Sequence, residues 1–456
     1  MRRQQVDTGV NMKKKQRPDV LTGDIKQHLI RFAIPSMGGM FAMTVFNLTD
    51  TYFVSQLGTD ALAAMGFTFP VVMIIGSVSG GISLGASSVL ARAMGAGDHH
   101  KTQRIATDGI LMSLLMVLFV SILGLFFLEE IFTALGAEGQ ALVLVKQYMT
   151  IWFAGAVFVI VPPVSDASMR ALGDMVRPLV VMLSIAILNI ILDPILIFGY
   201  FGVPAMGIEG AVIATVVSRA IGGLLSLSFV AFHYKLIDFK YNSWRELLAS
   251  WREIITIGIP NIINRLLPQA IRASMTRLVA GSVGVAAVAA IAAGQRIESF
   301  ATIASMGIGT AIVPIIGQNY GKGQKDRVME MRQILIRLAI VYGLVLFLIM
   351  LPLGSILGSI FTSDPEVLAL TAQYIRIIMI GTIGLNQYSW ISESFTAVGK
   401  PKFALLTNLI GTLLIIIPLM FIGVNTAGFV GMLVSIALGQ LLVGLLAIWM
   451  SKKWLV

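Results

Sequence analysis

"IRFAIPSM", residues 30–37, returns as "ITIGIPNI" at 255–262, which sets Pro35 against Pro260 at an offset of 225. Four further pairs keep step with it. "GAGDHHKTQR" (95–104) parallels "GKGQKDRVME" (321–330), and Gly97 to Gly323 is 226. "IFTALGAEG" (131–139) recurs as "IFTSDPEV" (360–367), with Ile131 to Ile360 giving 229. "RALGDMVRP" matches "TAVGKPKF" with Gly173 to Gly399 at 226, and "GIEG" (207–210) matches "GFVG" (428–431) at 221. Five ordered correspondences at a nearly constant offset make the chain two copies of one unit.

The unit is built from membrane helices. Of 456 residues, 57% are hydrophobic and 12% charged, with mean hydropathy +0.87, whereas a soluble domain carries about 25% charge. Apolar runs of the length that crosses a bilayer of roughly 30 Å recur throughout. Read between breakers, they number twelve: about 29–55, 61–90, 105–128, 141–165, 175–200, 207–234, 254–281, 287–317, 333–359, 366–395, 402–423 and 427–450. The 45 glycines suit closely approaching membrane helices. Six helices per copy give both copies the same direction of crossing. The expected fold is therefore all-α and polytopic, two parallel six-helix repeats around a central cleft.

Charge orients the chain. The net charge of 33 − 23 = +10 would point a soluble protein toward nucleic acid. Here the excess lies in loops on one side, so no nucleic-acid partner is expected. Those loops carry Lys101 and Arg104, then Arg170, Arg177, Lys235, Lys240, Arg245, Arg252, Lys322, Lys325, Arg327, Lys400, Lys402, Lys452 and Lys453. The opposite loops, "QLGTD", "EEIFTALGAEG", "YFGVPAM", "GSVGV", "TSDP" and "GVNTA", hold no Lys or Arg. The positive-inside rule places both termini in the cytoplasm, with the chain multi-pass in the cell (inner) membrane. The organisation expected is a basic cytoplasmic tail at 1–21, a six-helix lobe at 22–234, a cytoplasmic linker helix at 235–252 and a second lobe at 253–456. A monomer is expected. There are no cysteines, hence no disulfides, thiolate metal sites or cysteine nucleophiles. The four histidines show no metal-ligand spacing.

Against this background "VFNLTDTYFVSQLG" (45–58) contains an anomaly, because Asp50 lies inside an apolar span. An ionisable residue there costs at least about 2.5–3.5 kcal/mol and marks a functional site by default. Helix 5 repeats the anomaly with Asp193 in "LNIILDPILIFG". Both helices run outward, and both aspartates fall in the outer half at similar depth. Asn47 precedes Asp50 by three residues and Asn189 precedes Asp193 by four, so each acid shares a helix face with an amide. Pro194 removes the helical partner of the Ile190 carbonyl, which is tolerated where backbone lines a cavity. Two acids in a low dielectric repel each other and lose hydration, and such a pair can load a proton outside and release it inside.

"FNLTDTYFVSQLG", "ARAMGAGD" after helix 2, "LNIILDPILIFG" and "GIEGAVIATVVSR" opening helix 6 together resemble the multidrug and toxic compound extrusion (MATE) transporters. They are similar to the proton-coupled branch related to DNA-damage-inducible (DinF-like) members. The resemblance spans roughly residues 22–450. It implies an antiporter that exports small organic drug-like compounds while H⁺ or Na⁺ enters, with no cofactor beyond the ion gradient. It also implies a cation site made of Asp50, Asp193, Asn189 and Thr215. Phe46 stands where such transporters often carry tyrosine. Residues 254–297 contain no Asp or Glu, unlike the sodium-driven branch, whose seventh helix bears an acid.

Phe46 and Met43 are candidates for the cleft wall, as are Arg265 and Glu298. Arg265 falls near mid-membrane and must pair with an acid, meet carbonyls or face water. Glu298 on the next, antiparallel helix is its expected partner. Sodium coupling at the same site is a variant reading, and a lipid-linked precursor flippase of the same superfamily is another. An enzyme is not expected, since GxxxxGK[ST], HExxH and serine-centred G-x-S-x-G are all absent.

Overall fold

The computed structural model describes residues 20–238, 244–360, 362 and 364–456, and it is helical throughout. The tail expected at 1–21 lies almost wholly outside the described residues. The first repeat comprises α1 (Ile25–Ser55), α2 (Thr59–Gly95), α3 (His99–Phe126), α4, α5 (Val176–Phe198) and α6 (Gly207–His233). The second comprises α7 (Trp244–Ser282), α8, α9 (Lys325–Gly358), α10 (Pro365–Ala397), α11 and α12. Asp24 starts α1 by accepting a hydrogen bond from the Lys26 amide at 2.8 Å, and Asp98 starts α3 in the same way through Lys101, at 2.9 Å. Such caps satisfy amides that a helix leaves unpaired at its first turn.

Three spans differ from uninterrupted rods. The fourth is a pair, Gly139–Ala154 and Ala156–Ala171, bent by 67°. The bend falls at Gly155, where Val216 of α6 leaves no room for a Cβ, and Pro162-Pro163 follow. The eighth is a second pair, Val285–Ala301 and Ile303–Gly321, bent by 48°. The last two spans form one apolar stretch, Pro401–Trp454, broken at Ala427 and Gly428, where φ reaches −139° and +57°. We take 401–426 as α11 and 429–454 as α12. With that break the described residues make twelve crossings. Residues 244–252, part of the linker expected at 235–252, form the first turns of α7, while 239–243 lie outside the described residues.

The lobes meet at the end that bears the basic loops. There the Arg92 guanidinium donates to the Ala397 carbonyl at 3.1 Å and the Gln318 amide to the Ala171 carbonyl at 2.7 Å. Trp251 Nε1 donates to the Asp108 carbonyl at 3.0 Å. Glycines bring α2 and α7 into contact. A Cβ on Gly81 would lie 2.9 Å from the Ile262 nitrogen, and one on Gly85 would meet Gly258 N at 3.2 Å. Small residues at such crossings are what apolar helices use to approach in lipid.

Beyond this crossing the helices part. The α7 stripe of Ile254, Gly258 and Ile262 continues as Arg265, Gln269 and Arg272, all exposed. The facing stripe of α2 continues away from the crossing as half-buried Ser77 and exposed Met73 and Phe69. A cleft thus opens toward the loops that lack Lys and Arg, with a cationic, polar wall on α7 and an apolar wall on α2.

Candidate functional site

Asp50 and Asp193 both stand five residues before the C-terminal ends of their helices, Ser55 and Phe198, or about 7.5 Å at helical rise. The two helices pack side by side in the first lobe. Asp50, Asn189, Asp193 and Thr215 are all buried. Asn189 Nδ2 donates to Asp193 Oδ1 at 3.0 Å. Asp50 and Asp193 act on each other electrostatically. Asp50 Oδ1, Asp193 Oδ2, Asn189 Oδ1 and Thr215 Oγ1 have no hydrogen-bond partner among the described residues. Buried polar atoms are ordinarily satisfied. Four orphaned oxygens from three helices therefore describe a place for a cation or for water.

Asn47 is not part of this group. It is exposed, on the face of Leu48 and Thr51. The buried stripe of α1 runs through Gly39, Ala42, Phe46, Asp50 and Val54, mostly at spacings of four. Such a stripe keeps the residue four positions before Asp50 and leaves out the one three before it. Asn189 stands four before Asp193 and stays inside. Phe46 is buried with Val181, Ile185 and Ala186, and Met43 packs against the same cluster. Both belong to the interior of the first lobe rather than to the cleft wall.

Two residues enter the site that sequence reasoning did not single out. Arg219, one turn beyond Thr215 on α6, acts electrostatically on Asp50. Its guanidinium carbon lies 5.2 Å from the centre of the Phe46 ring, within cation–π range. Tyr148 of α4 is buried and lies within electrostatic reach of Asp50, Arg219 and Asp193. A legible signal existed for the arginine, since Arg219 stands twelve residues into a span. Nothing distinguished Tyr148 from other span tyrosines.

The pairing of Arg265 with Glu298 is corrected. Glu298 accepts a hydrogen bond from the Tyr374 hydroxyl at 2.8 Å and has Arg272 as its cationic neighbour. Arg265 lies against Gly80 of α2, where a Cβ would be 3.3 Å from its guanidinium carbon, and its acidic neighbour is Glu393. The physical reason is rotational. Arg265 continues the face of Gly258 and Ile262, so its guanidinium lies at the lobe boundary, against Gly80 of α2 and within electrostatic reach of Glu393 on α10, away from Glu298.

Two similar helical lobes, a cleft closed at one end and a buried carboxylate pair in one lobe define a membrane transporter, not an enzyme. The MatE family model matches the chain twice, at residues 35–195 and 260–422, and the two matches begin 260 − 35 = 225 residues apart, in register with the prolines that open the repeat. The chain belongs to the MatE family of transporters. Over 443 residues it is 31% identical to the FAD transporter of Shewanella oneidensis, covering 96% of this chain and 97% of that one. It is 25% identical to the multidrug export protein MepA of Staphylococcus haemolyticus, with 92% of each covered. The fold is similar to a crystal structure of a mutant of the Vibrio cholerae MATE transporter VcmN, at TM-score 0.89 and 26% identity, covering 94% of this chain and 96% of that one. It is equally similar, at TM-score 0.89 and 25% identity, to an outward-facing multidrug resistance MATE transporter, covering 96% and 98%.

Proposed function

We propose that the protein is an antiporter that exports an organic compound in exchange for inward H⁺, alternating which end of the cleft is open. The observation that carries this reading is the buried pair of Asp50 and Asp193 at equal depth, beside Arg219, the one cation acting on Asp50 among the described residues. With both acids ionised the group bears one net negative charge, and one proton neutralises it. A proton crossing one pH unit supplies about 1.4 kcal/mol, and about 2.3 more for each 100 mV. The helix 5 and helix 6 motifs favour the DinF-like branch. Curated relatives carry FAD in one case and drugs in another, and an organic cargo for this chain follows that pattern.

The four orphaned oxygens favour a second reading, in which Na⁺ occupies the same site. Proteoliposomes with separately imposed gradients decide between them. A pH gradient alone should drive exchange in sodium-free buffer, and a sodium gradient alone should not. Drive by sodium at uniform pH would establish the second reading instead.

We further place both termini and the basic loops in the cytoplasm. The cysteine-free chain makes the check direct. His100→Cys should resist impermeant thiol reagents in intact cells, and Glu138→Cys should react. Labelling of His100→Cys from outside would invert the orientation.

A further inference from the structure

A cavity of about 140 Å³ lies within the second lobe, formed without any residue of the first. Its polar lining includes Arg272 on α7, Gln295 and Glu298 on α8, Tyr388 on α10, Asn408 on α11 and Gln440 on α12. Arg272 and Gln295 each stand ten residues from the outer ends of their helices, and Tyr388 nine residues from the inner end of its own. Those counts correspond to about 14–15 Å of helix, so the cavity sits near the middle of the membrane.

The hydrogen bonding of this lining is uneven. Glu298 is engaged by Tyr374. Asn408 donates to Asn264 Oδ1 at 3.1 Å and accepts from Thr412 at 3.1 Å. By contrast, the side chains of Arg272, Gln295 and Gln440 form no hydrogen bond or salt bridge among the described residues, and Gln440 Oε1 is fully buried. Two idle amide heads, beside an exposed guanidinium whose one charged neighbour among the described residues is Glu298, leave hydrogen-bonding capacity for a partner from elsewhere. Ile271, Met275, Ile378 and Ile436 complete the wall with apolar surface. Apolar walls around a few convergent polar groups are the composition of a small-molecule site.

The chemistry of the heads selects the ligand. Each amide offers one acceptor and two donors, which matches the alternating donor–acceptor edge of a heterocyclic imide or lactam. A guanidinium holds phosphate or carboxylate through paired N–H groups. Arg265 stands seven residues before Arg272, two turns along the same face, and is exposed at the cleft. The two arginines, with Glu393 and Glu298 as their respective acidic neighbours, form a track leading from the cavity mouth into the cleft. The cavity has room for a ring system rather than for a whole dinucleotide.

We propose that this cavity and the Arg265–Arg272 track are the cargo site, and that the cargo is an anionic heteroaromatic compound. The ring enters the cavity against Gln295 and Gln440, and its phosphate or carboxylate lies on the arginines. This assignment rests on the antiport reading, and it puts cargo and coupling ion in different lobes. Coupling between them then passes through movement of the lobes, not through competition for one carboxylate.

Equilibrium binding to the purified full-length protein in nanodiscs tests it, with fluorescence of FAD, riboflavin and ethidium as probes. Riboflavin keeps the ring of FAD and lacks its phosphates, while ethidium is planar and cationic. FAD should bind at least tenfold more tightly than either. Arg272→Gln should weaken FAD at least tenfold and leave riboflavin within twofold, and Arg272→Lys should recover part of the loss. Gln440→Leu should weaken both flavins at least fivefold at an unchanged melting temperature. Equal affinity for FAD and riboflavin, preference for ethidium, or wild-type FAD binding by both Arg272→Gln and Gln440→Leu would overturn the proposal. Asp50→Asn should bind FAD within twofold of wild type. If that variant also transports normally, the coupling reading fails while the cargo site stands. If it is inactive and the binding arms fail, only the cargo site is wrong.

Discussion

Asp50→Asn should abolish exchange in proteoliposomes while membrane abundance and melting temperature stay close to wild type. The amide keeps the volume and planar shape of the carboxylate, and Asp50 makes no hydrogen bond to another helix that folding would miss, since its Oδ1 is already unpaired. What the variant loses is the capacity to take up and release a proton, together with the negative charge that faces Arg219. Asp193→Asn should impair exchange comparably or somewhat less, because Asn189 already occupies one of its oxygens. Thr215→Ala removes one oxygen and no charge, and its effect should be milder. Normal exchange by Asp50→Asn at normal abundance would remove the carboxylate pair from the mechanism.

Gly384→Leu should prevent assembly of the second lobe. Gly384 is where α10 crosses α12. A Cβ there would meet the Gln440 carbonyl and lie 2.5 Å from the Leu441 Cα, and across the same contact one on Gly444 would lie 2.6 Å from the Gly384 Cα. These are backbone atoms, so no rotamer change can relieve them and the helices must separate. Substitutions of that kind stand in the tail beyond about 4 kcal/mol. The measurement is fluorescence-detected size exclusion with a thermal ramp. A monodisperse protein with unchanged melting temperature would contradict the crossing. Gly97→Ala, at a loop glycine with φ +77° and nothing within 4 Å of its Cβ, is a control whose loss is limited to backbone strain.

Helices, their number, the repeat and the asymmetry of the loops were legible in the linear chain. Each is a property of short windows or of the spacing between them. An apolar run reports its own burial in lipid, and two prolines 225 residues apart report a duplication without reference to any contact. The depth of Asp50 and Asp193 was legible for the same reason, since rise per residue turns a count into a distance. Only the tertiary structure decided which groups meet. Asn47 and Phe46 differ by one position, and the pitch of the buried stripe on α1 decided that Phe46 lies beneath Arg219 while Asn47 faces outward. Arg265 lay within about 8 Å of Glu298 in depth by helical rise, but rotation about the α7 axis turned it to Gly80 instead. The cavity of the second lobe draws on helices separated by more than a hundred residues of chain. Hydropathy records how deep a residue sits in the membrane. It carries no information on azimuth, and azimuth is set by how glycines and bulky side chains interlock between helices.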